Sequence, residues 1–286
     1  MYEFVKITIF APMNSIDTSV IISTYNNPKW LEKVLWSFGQ QLFKDFEVVI
    51  ADDGSSEETK QLIDRMKVDL NFPIQHIWHE DNGFQKTVIL NKATVASKGE
   101  YLVYTDGDCM ARADFLSVHK SKRERRYFLS GGYFKLPMNI SELIGEEDIK
   151  TQRCFDIDWL KSNGLKSSFK NNKITARGFK QKFLNFITPT KATWNGHNSS
   201  CWKDDIMKAN GYDERMQYGG EDRELGERLF NMGIKSKQIR YSAICLHLDH
   251  SRGYVQPEMI EKNNRIRKTT KKEKITKTSF GIEKLN

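Results

Sequence analysis

The sequence of 286 residues predicts an α/β fold, in which helices flank a mostly parallel sheet. In the first third of the chain, short apolar runs alternate with segments whose apolar residues recur at helical spacing. This alternation, carried through four predicted strands, is typical of parallel strands joined by right-handed crossovers. Carboxylates directly follow two of the runs, at the edge where open sheets of this class bind ligands.

Local signals predict each element of this half. Apolar or β-branched runs bounded by turn-forming residues predict the strands, and apolar residues at 3.6-residue spacing predict the helices. Pro28 suits the first turn of a helix, and Ser55 with Glu58 three residues later forms a predicted capping box. In chain order the predicted elements are strand 19–24, a helix from Pro28 to Phe38, strand 46–51, a helix after Ser55, strand 74–78, helix 87–97 and strand 101–105.

The positive charge of the sequence is concentrated near its C-terminus. The formal net charge is +8, and residues 261–286 hold nine Lys or Arg against three Glu, which leaves +2 for all preceding residues. We therefore expect a solvated basic tail at 256–286, with attraction to an anionic membrane face or to acidic glycolipid as the sharper hypothesis. The tail lacks the alternating aromatic and basic residues that stack bases, so nucleic acid is not an expected partner.

Cysteine usage and hydropathy indicate the compartment. The four cysteines are far apart in the sequence, without paired spacing, which fits a reducing cytoplasm. No stretch approaches the ~18 apolar residues of a membrane span, and Met1–Met13 is interpreted as an irregular leader rather than a signal peptide. The predicted location is the cytoplasm, with peripheral contact at the inner face of the cell membrane through the basic tail as a hypothesis.

Two predicted strands end in acidic residues. Asp52 and Asp53 follow the second strand, and Asp106 and Asp108 follow the fourth with one glycine between them. Side chains at this edge can bond a base or ribose and hold a divalent cation, and we expect Gly107 to let a metal-bound phosphate approach the backbone. No Gly-x-Gly-x-x-Gly follows the first strand and no Gly-Lys-Ser/Thr occurs, which argues against dinucleotide binding and P-loop nucleotide hydrolysis.

Three motifs, each closing a predicted strand, resemble those of a known enzyme family. They are Ser23-Thr24-Tyr25-Asn26, Asp52-Asp53-Gly54-Ser55 and Asp106-Gly107-Asp108, and together they are similar to the nucleotide-sugar half of the inverting GT-A glycosyltransferases of family 2. Downstream, the blocks at 195–202 and 219–224 are similar to the acceptor side of bacterial chondroitin-polymerase-type and β-1,4-galactosyltransferase-type enzymes. The resemblance covers roughly residues 19–254 and thins between 134 and 193.

The resemblance implies a domain organisation and a reaction. A single GT-A domain at 17–255 would comprise a nucleotide-sugar half, 17–133, and a smaller acceptor-binding half, 134–255, ahead of the basic tail. The implied reaction is inverting and metal-dependent, and it moves a hexose or N-acetylhexosamine from a UDP-sugar to a hydroxyl of a glycan or glycolipid acceptor. The implied cofactor is Mn²⁺ or Mg²⁺, and the implied setting is the synthesis of a bacterial surface polysaccharide or lipopolysaccharide.

The resemblance also implies roles for individual residues. Asp222 is the implied catalytic base, and Glu221 is implied to hold the acceptor sugar. The other implied site residues are Ser23, Tyr25, Asp53, Asp106 and Asp108 for the nucleotide-sugar, Asn195, Gly196 and Gly220 for the donor or acceptor sugar, and Asp108, Asp106 and His250 for the metal, with His247 as the rival of His250.

Asp222 lies in the first turn of a predicted helix that follows Gly219 and Gly220. The helix N-terminus is expected to lower the pKa of this carboxylate, which keeps it ionised and able to accept a proton from a sugar hydroxyl. The two glycines are expected to let a substrate come close. Acids in this position also occur simply because they are stabilised by the helix dipole, which is the plainer interpretation.

Three alternatives stay open. A sugar-1-phosphate nucleotidyltransferase shares the wound sheet and the acidic metal ligands, although residues 23–28 lack the glycine-rich basic loop that would hold a triphosphate. A non-catalytic carbohydrate-binding module is the alternative from another class of protein. The polar, lysine-rich segment 140–193 is either an acceptor-binding insertion or a mobile surface loop.

Overall fold

The computed structural model describes residues 16–251 and 256–284, so the leader expected at Met1–Met13 lies outside the described part. Within these residues the strands are β1 (Thr18–Thr24), β2 (Phe46–Asp52), β3 (Ile74–Trp78), β4 (Tyr101–Asp106), β5 (Cys109–Ala111), β6 (Tyr127–Ser130), β7 (Gly132–Lys135), β8 (Ser199–Trp202), β9 (Lys235–Gln238) and β10 (Ile244–His247). The four strands predicted in the first third of the chain are β1 to β4, and their positions are confirmed.

Helices connect these strands and fill the second half of the chain. They are α1 (Pro28–Gly39), α2 (Glu57–Asp69), α3 (Lys86–Ala96), α4 (Phe115–Lys122), α5 (Met138–Leu143), α6 (Glu146–Lys150), α7 (Ile157–Ser162), α8 (Asn172–Thr175), α9 (Gly178–Ile187), α10 (Lys203–Lys208), α11 (Glu221–Asn231) and α12 (Pro257–Lys272), with 3₁₀ turns at Arg153–Phe155 and Phe169–Asn171. Among the described residues, no helix combines the length and the hydropathy that a membrane crossing requires.

Two sheets form the centre of the described structure. The larger sheet has the strand order β3-β2-β1-β4-β8-β6-β9, and the smaller has the order β5-β10-β7. Strand β1 runs parallel to both β2 and β4, and β2 runs parallel to β3, which confirms the predicted α/β fold. Strand β8 pairs antiparallel with β4 and β6, so the second half of the chain extends the sheet of the first half.

Both faces of the larger sheet are buried, because helices cover each of them. Val20 and Ile22 of β1 pack with residues of α1 and α2 on one face, whereas Ile21 packs with residues of α3 and α11 on the other. Successive side chains of a strand point to opposite faces. A strand that is buried on both faces therefore needs apolar side chains along its whole length. The continuous apolar run that predicts β1 meets this requirement.

The start of α2 differs from the prediction. The N-cap is Ser56 rather than Ser55, and no side chain makes a capping hydrogen bond there. The Ser55 hydroxyl instead accepts a hydrogen bond from the Asn26 N–H at 2.8 Å, and the Asn26 side chain accepts one from the Ser56 N–H at 2.8 Å. The predicted capping box of Ser55 and Glu58 is therefore wrong, because Ser55 ties the start of α2 to the loop after β1.

Residues 140–193 are largely helical rather than a surface loop. They include α6 to α9, and their apolar side chains Ile140, Ile149, Leu160 and Ile174 are buried in the main core. The segment is lysine-rich in sequence because its outer surface is polar, while its inner apolar side chains lie in the main core. The surface-loop alternative is wrong, and a role in acceptor binding stays a prediction.

The basic C-terminal segment packs against the domain. The Arg267 guanidinium pairs with the Glu227 carboxylate at 2.6 Å, which joins α12 to α11. The Thr270 hydroxyl donates a hydrogen bond to Glu224 at 2.9 Å, and this contact is buried. The solvated tail expected at 256–286 is therefore wrong for the described part of that segment, whereas the predicted domain boundary before it stays a prediction.

A buried ion pair anchors α11. Arg228 Nη2 lies 2.8 Å from Glu224 Oε2, and the two side chains are 0% and 1% exposed. Arg228 also donates hydrogen bonds to the backbone carbonyls of Ala209 and Gly211. We expect Arg228→Met to lower the free energy of unfolding by about 3–5 kcal/mol, because the Glu224 carboxylate would stay buried without its charged partner. Urea denaturation measures this change.

The matched control for that variant is Arg265→Met. Arg265 pairs with Glu261 one helical turn away, but both side chains are exposed, so the expected loss is below about 1 kcal/mol. If Arg228→Met were as stable as Arg265→Met, the buried pair would not anchor the helix.

Candidate active site

The carboxyl ends of β1, β2 and β4 meet at one edge of the larger sheet. The strand register pairs Ser23 with Asp106 and Thr24 with Asp52. The Ser23 hydroxyl donates a hydrogen bond to Asp106 Oδ1 at 2.7 Å. Asp53 follows β2 at the same edge, where its N–H donates to the Thr24 carbonyl at 3.0 Å. The structure thus brings together Ser23, Asp53 and Asp106, which the sequence predicts on the donor side.

Gly107 is required by the neighbouring strand. Its N–H donates a hydrogen bond to the Ser23 carbonyl at 2.7 Å. A Cβ at this position would lie 3.0 Å from the same carbonyl oxygen and 3.2 Å from the Thr24 hydroxyl. The backbone that comes close to Gly107 is therefore that of strand β1. These contacts do not support the expectation that Gly107 admits a phosphate.

Asp106 forms an ion pair with Lys86, a residue that sequence reasoning missed. Lys86 Nζ lies 2.8 Å from Asp106 Oδ1. Burial alone would raise the pKa of Asp106, but the Lys86 charge holds it well below its ordinary value. Burial opposes the charge of Lys86 as well, yet the carboxylates of Asp106, Asp222 and Glu221 raise the pKa of Lys86. Both groups of the pair are therefore ionised, and Lys86 lies between the donor-side and acceptor-side carboxylates.

One signal for Lys86 is present in the sequence. It is the first residue of α3, and a positive charge at a helix N-terminus opposes the helix dipole. Such an unfavourable placement persists where a nearby carboxylate compensates it. The partner itself, Asp106, lies twenty residues downstream and could not be assigned from local pattern.

Asp53 is already engaged by its neighbours. Its Oδ1 lies 2.8 Å from His79 Nε2, and its Oδ2 accepts a hydrogen bond from the Gln85 N–H at 3.0 Å. Burial raises the pKa of Asp53 against the opposing effect of these two contacts. The predicted pocket residue Tyr25 is half exposed and donates its hydroxyl proton to Asp81 at 2.8 Å. Roles of Asp53 and Tyr25 in nucleotide binding stay predictions, and His79 and Asp81 are partners that the sequence did not indicate.

Asp108 faces both candidate histidines. His250 Nε2 lies 2.8 Å and His247 Nε2 lies 3.5 Å from Asp108 Oδ2, and the two imidazole rings stack with centroids 5.4 Å apart. Antiparallel pairing of β10 with β5 sets His247 opposite Cys109, which explains the approach to Asp108. Asp106 does not join this group in the described residues, because Lys86 and Ser23 engage its carboxylate.

The donor set of this cluster fits a divalent cation. Ligand atoms of Asp108, Cys109 and His247 all lie within 4.8 Å of one another. His247 Nδ1 is buried without a hydrogen-bond partner, while its Nε2 lies on the side of Asp108. A hard carboxylate oxygen with imidazole nitrogen suits Mn²⁺, and the carboxylate suits Mg²⁺. The predicted choice between His247 and His250 stays open, since both approach the carboxylate.

Asp222 is partly exposed, and its carboxylate packs against the loop that contains Gly196. A Cβ on Gly196 would lie 3.1 Å from both carboxylate oxygens of Asp222, so a side chain there would crowd this carboxylate. The Oδ1 atom of Asp222 is buried without a hydrogen-bond partner. Burial, followed by the charge of Glu221, raises the pKa of Asp222 to about 7. The low pKa expected from the helix N-terminus is therefore wrong, because removal from water outweighs the helix dipole.

Glu221 and the two glycines before it shape the start of α11. The Gly219 N–H donates a hydrogen bond to Glu221 Oε2 at 2.8 Å, so this carboxylate closes its own loop. Gly219 and Gly220 have φ angles of 105° and 91°, which side chains rarely adopt. A Cβ on Gly220 would lie 3.0 Å from Cδ of Arg267 in α12. These glycines fit the turn and the C-terminal helix, whereas their predicted role in admitting substrate stays untested.

His197 is a second residue that sequence reasoning missed, although it lies within the block at 195–202. Its carbonyl accepts a hydrogen bond from the Thr105 hydroxyl at 3.0 Å, and its ring contacts the Tyr133 ring with centroids 4.7 Å apart. Burial lowers the pKa of His197 to about 4, so the imidazole is neutral near pH 7. Asn195 accepts the N–H of Asn198 at 2.9 Å and thereby closes the loop.

The sheet order and the acidic cluster at the carboxyl ends of the strands define a GT-A glycosyltransferase fold. Residues 19–130 match the family model described as glycosyl transferase family 2, and residues 179–251 match the one described as the N-terminal domain of galactosyltransferase. The chain accordingly carries a glycosyl transferase family 2 domain, which confirms the predicted family and the predicted enzyme class.

Known proteins of this kind resemble most of the chain. The uncharacterized glycosyltransferase YfnE of Bacillus subtilis is 25% identical over 265 residues, which cover 81% of this chain and 64% of YfnE. Chondroitin synthase of Escherichia coli is 25% identical over 248 residues, which cover 80% of this chain and 34% of that enzyme. The chain thus spans less than two-thirds of the length of these two relatives.

A solved structure shares the fold. The structure of GalNAc-T7 with UDP, GalNAc and Mn²⁺ superimposes with a TM-score of 0.61 at 14% sequence identity, covering 90% of this chain and 48% of that one. At this identity the likeness concerns the fold alone. It supports the GT-A fold over most of the chain.

Proposed function

We propose that the chain transfers a hexose or N-acetylhexosamine from a UDP-sugar to a hydroxyl of a glycan or glycolipid acceptor, with inversion at the sugar. The observation that carries this proposal concerns Asp222, which is partly exposed but whose Oδ1 atom is buried without a hydrogen-bond partner. A buried acceptor atom without a partner costs stability unless a ligand satisfies it. A sugar hydroxyl supplies the missing donor.

In the proposed step, the acceptor oxygen bonds to the anomeric carbon while the bond from that carbon to the UDP phosphate breaks. The hydroxyl proton passes to Asp222, and UDP leaves with the electron pair of the broken bond. A carboxyl group with a pKa of about 7 suits a general base. Its carboxylate form is populated at neutral pH and is still basic enough to accept a proton from a hydroxyl. Glu221, beside it, is proposed to hold the acceptor sugar.

The residues of the donor side have separate tasks. Asp108 with His247 and His250 would hold Mn²⁺ or Mg²⁺, and such an ion supplies neutralisation of diphosphate charge when it is bound. Lys86 keeps Asp106 ionised, and Ser23 holds the same carboxylate at 2.7 Å. Asp53 at the neighbouring strand end is proposed to bond the base.

The rate is expected to depend on pH through Asp222. Its folded pKa is about 7 against an ordinary value of 3.8, so the basic form is lost as the pH falls through 7. We expect kcat/KM, which reports the pKa of the free enzyme, to fall about tenfold for each pH unit below the pKa. A pH–rate profile for UDP release measures this, and the residual rate of Asp222→Asn should be flat over the same range. A wild-type profile that is flat from about pH 5 to 8 would contradict the assignment.

Stability should change with pH in the opposite direction. A carboxyl group with a raised folded pKa contributes stability that is fully present below its unfolded pKa and is lost as the pH rises through the folded pKa. Between about pH 4 and 7 the wild type should therefore lose roughly 4 kcal/mol relative to Asp222→Asn. Urea denaturation of both proteins at several pH values measures the difference.

Two measurements test the function as a whole. UDP release from UDP-linked glucose, galactose, N-acetylglucosamine and N-acetylgalactosamine, with and without Mn²⁺, identifies the donor, and the anomeric signal of the product by NMR reports inversion. UDP with Mn²⁺ should raise the melting temperature more than NAD or ATP does. If no donor is cleaved and UDP with Mn²⁺ leaves the melting temperature unchanged, the proposal is wrong.

The biological setting is proposed from the relatives. Chondroitin synthase, by its name, makes a polysaccharide. We infer that this chain works in the cytoplasm on a surface polysaccharide or lipopolysaccharide. The nucleotidyltransferase and binding-module alternatives are not favoured, because the chain carries a glycosyltransferase domain and an acceptor-side carboxylate suited to act as a base.

A further inference from the structure

Helix α9 presents an aromatic face to solvent. Phe179, Phe183, Phe186 and Ile187 are 83%, 49%, 89% and 47% exposed. These positions are spaced by four, three and one residues, so they lie on one side of the helix. The opposite side carries Leu184, which is buried with Ala176 and Tyr241. Contiguous exposed apolar surface of this kind marks an interaction site more often than chance exposure does.

The body of the domain holds this face outward. The Asn185 side chain donates a hydrogen bond to the Ser242 hydroxyl at 2.9 Å and accepts one from the Tyr241 N–H at 2.9 Å. Leu184 inserts into the small apolar cluster beneath the helix. Helix α9 is therefore packed against the domain through Leu184 and Asn185, and its aromatic side remains exposed.

The stretch of sequence that contains α9 is basic. Between Trp159 and Lys203 the sequence contains no Asp or Glu, whereas its basic residues are Lys161, Lys166, Lys170, Lys173, Arg177, Lys180, Lys182, Lys191 and Lys203. Lys180 and Lys182 lie within α9 and are exposed. A cavity of about 590 Å³ opens beside the helix, and the charged residues in its lining are Lys122, Arg123, Lys182, Lys237 and Glu124, of which Glu124 pairs with Lys237. Anionic groups are the charge complement of this surface.

We propose that the α9 face, defined as Phe179, Phe183, Phe186 and Ile187 with Lys180 and Lys182, docks on an anionic lipid bilayer. Helices that lie in the plane of a membrane interface typically expose phenylalanines together with lysines. The rings insert at the boundary between headgroups and acyl chains, and the lysines contact lipid phosphates. A protein partner would not require basic residues along the whole stretch between Trp159 and Lys203.

This docking would orient the enzyme. Helix α9 ends at Ile187, and the acceptor-side loop begins at Asn195. The connecting segment is fixed to the sheet, because the Ser130 hydroxyl donates to the Thr193 carbonyl at 2.6 Å. A bilayer docked on α9 would therefore lie next to the helix from which a short connecting segment leads to the acceptor-side loop. The proposal does not depend on the proposed activity, since docking needs only the surface of α9.

Co-sedimentation with phosphatidylcholine vesicles, with and without phosphatidylglycerol, tests the proposal on the full chain. The protein should bind the anionic vesicles, and the triple variant Phe179→Ser, Phe183→Ser, Phe186→Ser should bind at least about tenfold more weakly. Lys180→Gln with Lys182→Gln should weaken binding by about fivefold for each lysine. The control variant Leu42→Ser with Val68→Ser changes side chains that are 69% and 85% exposed elsewhere, and it should bind as the wild type does.

The C-terminal helix offers the competing membrane contact. Lys262, Lys268 and Lys272 of α12 are exposed, so their replacement by Gln leaves the packed side of that helix intact. If this variant loses vesicle binding while the triple Phe variant keeps it, the proposal is overturned in favour of the basic C-terminal segment.

A second copy of the chain is the other possible occupant, and sedimentation velocity without lipid tests it. A wild-type protein that stays monomeric, together with weakened vesicle binding by the triple Phe variant, supports the bilayer. A wild-type dimer that the triple Phe variant converts to monomer overturns the proposal. Unchanged melting temperature and unchanged UDP release by the triple Phe variant exclude misfolding as the cause of lost binding.

Discussion

Asp222→Asn is expected to lower kcat by about a thousandfold and to leave the affinity for UDP with Mn²⁺ unchanged. The amide has nearly the shape of the carboxylate but cannot accept the proton of the acceptor hydroxyl, and general-base catalysis contributes about 10²–10⁴ in rate. The nucleotide should still bind, because its proposed contacts lie at the ends of β1, β2 and β4. Steady-state UDP release and calorimetric titration of UDP separate these two quantities.

The matched control for this variant is Asp204→Asn. Asp204 is also an acid in the first turn of a helix, α10, but its side chain is exposed and faces solvent. We expect its kcat to equal that of the wild type. A rate for Asp222→Asn above one-tenth of the wild-type rate would mean that another group takes the proton, and Glu221 would be the first to examine.

Asp108→Asn is expected to abolish metal-dependent UDP binding and to lower kcat by about a thousandfold. A divalent ion at this cluster supplies several kcal/mol of charge stabilisation as the sugar–phosphate bond breaks, and about 4 kcal/mol corresponds to that factor. The amide oxygen carries no full charge, so the cluster would lose its anionic ligand. Calorimetric titration of Mn²⁺ in the presence of UDP, together with the rate of UDP release, measures both effects.

The histidine variants decide which imidazole belongs to the cluster. His247→Asn and His250→Asn should each be titrated with Mn²⁺ in the same way, and the true ligand should cost at least about tenfold in affinity. Asp114→Asn is the control, because Asp114 pairs with Arg112 at 2.6 Å and not with the histidines. Unchanged Mn²⁺ affinity in Asp108→Asn and in both histidine variants would rule out this cluster as the metal site.

The first half of the chain is predictable from sequence because its signals are local. Continuous apolar runs identify β1, β2 and β4, since strands buried on both faces have no polar side. The acidic residues after β2 and β4 are then placed by topology, because parallel strands end at the same edge. The strand pairing of Ser23 with Asp106 follows from this arrangement, although only the structure shows the hydrogen bond.

Two errors in the prediction concern contacts between distant segments. The sequence predicts Ser55 as a cap, but this residue bonds Asn26, which lies 29 residues earlier. The charge of segment 256–286 predicts a solvated tail. Its described part packs because Thr270 and Arg267 meet Glu224 and Glu227 of α11.

The sequence alone determined the α/β class, the positions of the first four strands, and the acidic residues around which a glycosyltransferase site is proposed. The local spacing of apolar residues predicts the strands and helices, because it indicates which side chains are buried away from water. The tertiary structure decided the raised pKa of Asp222, the pairing of Lys86 with Asp106 and the outward aromatic face of α9. These properties depend on burial and on partners far away in the chain, which no local pattern specifies.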